Sequence, residues 1–72
     1  MSFPQISGPR LIRQFERLGF FIKRQTGGHA ILVHREDASR RAVVPIHGNK
    51  PIRPGTLRSI LEGARLTIDD IR

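Results

Sequence analysis

"GFFIKRQTGGHAILVHR", residues 19–35, is the stretch on which the fold turns. Phe20 to Gln25 leads with aromatic and β-branched residues into Thr26-Gly27-Gly28, and His29 to Arg35 resumes the apolar run. Two such runs across a glycine turn predict an antiparallel β-hairpin. Gly19, just ahead, follows Leu18 and predicts the left-handed residue that stops a helix. A hairpin turn uses glycine but has no need of the histidine beyond it. His29 is therefore a candidate functional residue next to a corner without side chains.

Upstream, Ser7 is a good N-cap and Pro9 fits the first helical turn, where its missing N–H costs nothing. Ile6 and Leu11 then occupy the positions of a hydrophobic staple. Leu11, Phe15 and Leu18 recur at helical spacing, with Arg10, Arg13 and Arg17 on other sides. Downstream, "EDASR" (36–40) reads as a polar connection and Arg41 to Ile46 as a third strand. Pro45 cannot donate to a ladder and marks an edge or a strand end. "HGNKPIRPG" (47–55) is a loop of turn residues. Pro54 opens a second helix whose Leu57, Ile60, Leu61 and Ala64 share one face, with Arg58, Glu62 and Arg65 elsewhere. Thr67 with Asp70 resembles a capping box for a short last turn. The order α-β-β-β-α predicts an α+β fold. A three-stranded antiparallel sheet with both helices on one face is its compact solution, the architecture of double-stranded-RNA-binding domains.

The chain has 72 residues, which predicts one domain over 1–72 with a thin core. It has no cysteine, which fits a reducing compartment. No apolar run nears the ~20 residues of a membrane span, and "MSFPQISG" does not read as a signal peptide. The expectation is a soluble cytoplasmic protein. Thirteen basic residues face six acidic ones, for a net charge of +7. All the basic residues but Lys23 and Lys50 are arginine, whose planar fork grips phosphate through paired hydrogen bonds. This points to a polyanionic partner, foremost nucleic acid. There is no Trp or Tyr, and of Phe3, Phe15, Phe20 and Phe21 at least Phe15 and Phe20 read as core. Recognition of backbone and shape suits this chain better than stacking of bases on aromatic rings.

The candidate chemistry narrows by elimination. His29 and His34 lie an odd number of residues apart on one strand and so face opposite ways. The pairs Glu36-Asp37 and Asp69-Asp70 sit in polar, terminal-looking places, whereas a magnesium site needs clustered carboxylates. No metal or other cofactor is expected. Gly27-Gly28 lacks the Lys-Ser/Thr and helix start of a nucleotide cradle. Ser2, Ser7, Ser39 and Ser59 have no histidine nearby in sequence. Acid–base work by histidine is left, since imidazole titrates near neutrality and RNA carries its own nucleophile, the 2′-hydroxyl. Gly27 and Gly28 would admit a phosphate backbone, and Lys23 and Arg24 would hold it. Lys50, Arg53 and Arg58 flank the start of the second helix, whose positive end favours anions. They read equally well as a solvated basic rim. His47 is either a second proton carrier or a loop residue tolerant of unusual backbone angles. His34 reads as a surface or partner-contact residue. From spacing alone, His29 is also readable as a histidine left exposed at a hairpin end.

"RQTGGH" (24–29), "VPIHGNKPIRPGTLRSIL" (44–61) and "LIRQFERLGF" (11–20) together resemble the HicA-type mRNA interferase toxins of HicAB toxin–antitoxin modules. The resemblance runs from about Ser7 to Leu66. It implies an αβββα fold like that of double-stranded-RNA-binding domains and an activity that cleaves mRNA. The family's essential histidine falls on His29. The implied partner is a HicB-type antitoxin that covers the toxin in a hetero-oligomer and blocks its site. In one departure, the residue before the histidine is often Ser or Thr in the family and is Gly28 here, so a hydroxyl is missing at that place. The resulting expectation is a metal-independent endoribonuclease toxin. A non-catalytic double-stranded-RNA binder of the same fold, or a pure protein-interaction module, are the alternatives.

Overall fold

A computed structural model describes residues 4–72. The beginning of the "MSFPQISG" segment, Phe3 included, lies outside the described residues. The order is α1 (Gly8–Arg17), β1 (Phe20–Gln25), β2 (His29–His34), β3 (Asp37–Pro45), α2 (Pro54–Ala64) and a final 3-10 turn (Ile68–Ile71). The strands form one antiparallel sheet in the order β1-β2-β3, and the fold is the αβββα arrangement read from the sequence. Among the described residues no helix is long and apolar enough to cross a membrane.

Local chemistry sets the element ends. The Ser7 hydroxyl accepts from the Arg10 N–H at 3.4 Å, and Pro9 sits in the first turn of α1. Gly19 ends α1 at φ +96°, a conformation that leaves no room for a side chain. Pro54 opens α2, and Arg65 closes it in the left-handed region at φ 57°. The Thr67 N–H donates to the Asp70 carboxylate at 2.7 Å, as the capping-box reading required. One core joins both layers. Leu11 and Phe15 of α1, Phe20, Leu32 and Val44 of the sheet, and Leu57 of α2 are almost wholly buried.

Two glycines let the layers close. A Cβ on Gly8 would collide with the Pro45 carbonyl, and one on Gly63 would come within 2.8 Å of the Arg41 carbonyl. Each helix thus touches β3 through a residue with no side chain, α1 at its start and α2 near its end.

The structure corrects the reading around "EDASR". β2 stops at His34, and β3 begins at Asp37 rather than Arg41. The register jumps from Val33↔Arg41 to His34↔Asp37, so Ala38–Arg40 bulge out of the ladder. The bulge has its own bonds. The Asp37 carboxylate accepts from the Ser39 hydroxyl at 2.6 Å and the Ser39 N–H at 3.0 Å. These bonds, and then the Arg65 charge at 3.3 Å, hold the Asp37 carboxyl below its ordinary value. Arg40 reaches back over the Phe20 ring, 5.4 Å from its centroid, to donate to the Ala64 carbonyl at 2.8 Å. A polar, arginine-bearing segment looks like a connection because its stabilising contacts are hydrogen bonds to distant backbone, which leave no hydrophobic periodicity.

His34, read as a surface or partner-contact residue, is half-buried and has intrachain contacts as well. Its ring meets Phe20 edge-on at 5.0 Å, and its Nδ1 accepts from the Glu36 N–H at 3.1 Å. Its Nε2 lies where a side chain on Gly19 would have to go.

Candidate functional site

The site is built at the end of the sheet where β1 turns into β2 and β3 stops. Ala30 and Leu32 of β2 are fully buried on the helix side. By alternation His29 and Ile31 face the other way, and His29 is exposed. The turn before it is tied by Thr26. The Thr26 hydroxyl accepts from the His29 N–H at 3.1 Å and the Gly28 N–H at 3.4 Å, and donates to the His29 carbonyl at 3.3 Å. The Thr26 N–H donates to the same carbonyl at 2.9 Å. Sequence reasoning passed over Thr26. Its signal was a hydroxyl residue heading a tight turn, where Ser and Thr commonly bond the backbone. A hydroxyl that Gly28 cannot supply is thus present beside His29, from two residues upstream of that glycine.

Gly27 and Gly28 adopt no left-handed backbone, and nothing lies within 4 Å of where their Cβ atoms would stand. Neither conformation nor packing inside this chain requires glycine there. Their effect is to leave the approach to His29 open.

Pro45 pairs with His29 across the ladder. The Ile46 N–H donates to the Gly28 carbonyl at 2.8 Å, just outside the pair. His29 and Pro45 therefore form a non-hydrogen-bonded pair, in which Cα atoms stand about 4.5 Å apart and side chains crowd closest. Proline is harmless here, because its nitrogen faces the outer edge of an edge strand. On the other flank Arg24 pairs with Ile31, which puts it diagonally next to His29 on the same face. Lys23 is the extra residue of a bulge between Ile22 and Arg24, and it is exposed.

Beyond Pro45 the chain turns through His47–Lys50, with the Lys50 N–H donating to the His47 carbonyl at 3.2 Å. Gly48 takes the left-handed angle, φ +59°, so the unusual backbone belongs to the glycine and not to His47. The segment before α1 pins this loop. Ile52 N–H donates to the Ile6 carbonyl at 2.8 Å, and Ser7 bridges Pro51. Pro45, Pro51 and Ile52, with His47, Lys50, Arg53 and Thr56, enclose a hollow of about 450 Å³.

The structure thus gathers His29, Gly27, Gly28, Arg24, His47, Lys50 and Arg53 at one end of the sheet. Arg58 is not part of the hollow: two residues beyond Thr56, it lies about 200° further round α2. Among the described residues the side chains of Lys23, Arg24, His29, His47, Lys50 and Arg53 make no hydrogen bond or ion pair within the chain, whereas Arg40 and Arg65 are both engaged. None of the six acidic residues falls in the segments that form the site, 26–29 and 45–56. Among the described residues no three His, Asp or Glu side chains converge on a point. The arrangement offers one exposed imidazole, a second at the hollow, and unpaired cations around an open approach. That equipment can bind a polyanion and move protons on it.

A family model described as "HicA toxin of bacterial toxin-antitoxin" matches residues 8–66 of the 72. No curated protein matches the chain. The matched span takes in both helices, the whole sheet and every residue of the site. The chain belongs to the HicA toxin family: it is a toxin of a toxin–antitoxin module, paired with an antitoxin.

Proposed function

We propose that this HicA-family toxin is an endoribonuclease that cuts mRNA in the cytoplasm, without a metal, through His29. The observation that carries the reading is the placement of His29: exposed, fixed at its backbone by Thr26, flanked by Arg24 and Pro45, and reachable across two glycines. Cleavage by this route needs two proton movements. The 2′-oxygen loses its proton and attacks the adjacent phosphorus, and the bond from phosphorus to the 5′-oxygen breaks as that oxygen gains a proton. The products are a 2′,3′-cyclic phosphate and a free 5′-hydroxyl. His29 carries one of these protons as general base or acid. His47, at the far side of Pro45, is the candidate for the other. Lys23, Arg24, Lys50 and Arg53 offset the phosphate charge, with Arg58 further along α2, and Gly27 and Gly28 let the backbone come close.

The partner is a HicB-type antitoxin, competing with RNA for the basic end of the sheet. Competition is read by adding RNA to the preformed complex, and tight simultaneous binding of both would rule it out.

The test of the activity is cleavage of RNA in EDTA by wild type and by His29→Ala, with the ends of the products identified. Wild type should leave cyclic phosphate ends, and the variant should leave the RNA intact while melting like wild type. A folded His29→Ala protein that still cuts would remove His29 from the mechanism. Binding of RNA with no cleavage by wild type would make the chain a binder.

A further inference from the structure

The hollow beyond Pro45 is larger than a phosphate needs, and its walls are of two kinds. Half-buried Pro45, exposed Pro51 and the nearly buried Ile52 supply an apolar floor. His47, Lys50, Arg53 and Thr56, all exposed, form a polar and mostly cationic rim. We infer that this hollow receives one unpaired nucleotide of the RNA, its base turned out onto the Pro45–Pro51–Ile52 floor and its phosphate on Lys50 and Arg53. The inference deepens the ribonuclease reading and rests on it for the identity of the polymer.

Size, chemistry and position agree. About 450 Å³ falls within the ~300–1,000 Å³ of pockets that take small organic ligands. A bare anion would leave the apolar floor unused. A nucleotide uses both parts, since any base presents a flat face to apolar walls while its phosphate meets the cations. This chain has no Trp or Tyr, and the proline rings are the apolar ring faces it has at the hollow. The pocket is also preformed. Its floor is pinned by the Ile52–Ile6 hydrogen bond and the Ser7–Pro51 bridge, so little ordering is left for the ligand to impose.

Position supplies the purpose. Pro45 is at once the wall of the hollow and the cross-strand neighbour of His29. A base seated there places its neighbouring phosphate at the imidazole. Attack requires the 2′-oxygen to line up opposite the departing 5′-oxygen, and holding reactants in line is a large part of catalysis. A stacked A-form strand holds that oxygen out of line and hides its bases from side chains. Turning one base out relieves both restrictions. The substrate class is therefore RNA with an unpaired nucleotide at the cut, not continuous duplex.

The test uses the full-length His29→Ala protein, titrated with AMP, GMP, CMP, UMP and inorganic phosphate while backbone amide shifts are followed by NMR. At least one nucleotide should bind about tenfold or more tightly than phosphate, with the largest shifts at Ile52, Arg53 and Thr56. Thr56→Trp, added to His29→Ala, should abolish that preference by filling the mouth of the hollow. Phosphate binding as tightly as every nucleotide, or shifts confined to Phe21, Ile31 and Val43, further along the sheet face that carries His29 and away from the hollow, would overturn the pocket. In parallel, wild type is given one RNA sequence as a single strand and as a perfect duplex. Cutting of the single strand about tenfold or more faster supports the pocket. Equal cutting of both overturns it but leaves the ribonuclease reading standing. Nucleotide binding in the hollow without cleavage of either RNA by wild type defeats the ribonuclease reading and leaves the pocket.

Discussion

β2 carries a histidine at each end, and the two are put to different uses. His34 stands edge-on to Phe20, accepts a backbone hydrogen bond, and blocks the space beside Gly19. Its end of the sheet also holds the Asp37–Arg65 pair and the Arg40 bond to the end of α2. His29 has its backbone tied by Thr26 and its ring exposed, and its end gathers cations that the chain leaves unpaired. Satisfied polar groups make the first end a structural clamp. The second end leaves exposed cations to solvent, which is the surface the proposed function assigns to an anionic ligand.

The largest effect should come from exchanging the two histidines for alanine. His29→Ala should lower RNA cleavage by about 10²–10⁴-fold with an unchanged melting midpoint. His34→Ala should do the reverse: a loss of about 1 kcal/mol in stability from the ring contact, and undiminished cleavage per folded molecule. Cleavage assays and thermal melts on both variants break the comparison if the two effects are not separable.

Gly8→Ala tests whether the packing at the His29 end supports its chemistry. Its Cβ would strike the Pro45 carbonyl, which is backbone and cannot swing aside. A loss of about 1–3 kcal/mol by urea denaturation is expected, together with weaker cleavage, because Pro45 stands beside His29.

Lys50→Ala and Arg53→Ala sharpen the charge contrast. Removing one cation from a phosphate should reduce the slope of log affinity for single-stranded RNA against log salt by about 0.7, while Arg65→Ala should leave it alone. Equal slopes for all three variants would mean that the cations act as a diffuse field.

The smallest effect belongs to Asp37. Ser39 and Arg65 lower its folded-state pKa, so its contribution to stability is complete above its ordinary unfolded value and is lost as pH falls through the lower folded one. Melting midpoints of wild type and Asp37→Asn should differ slightly at neutral pH and converge in acid, with cleavage unaffected at neutral pH.

Much of this was legible in the chain itself. Ser7, Pro9 and Gly19 mark both ends of α1, Pro54 marks the start of α2, and Thr67 with Asp70 marks the last turn. These signals act within a few residues, so sequence order and spatial order coincide. His29 was legible for the same reason: a turn without side chains and a strand end are local features. Arg40 and His34 were not, since each is fixed by a partner on another element, Ala64 and Phe20. Thr26 was missed because a hydroxyl in a polar turn is commonplace until its bonds to His29 are seen.

The order of residues alone therefore determined the two helices and the faces they bury, the hairpin, the existence but not the start of the third strand, the excess of arginine and the histidine beyond the glycines. Only the tertiary structure decided that Pro45 would stand against His29, that residues 47–53 would be fastened to Ile6 and Ser7, and that a hollow would open between them. The physical reason is range. Caps, turns and periodicity are set by neighbours along the chain, whereas a cavity is the space left between segments that meet only after the core has closed.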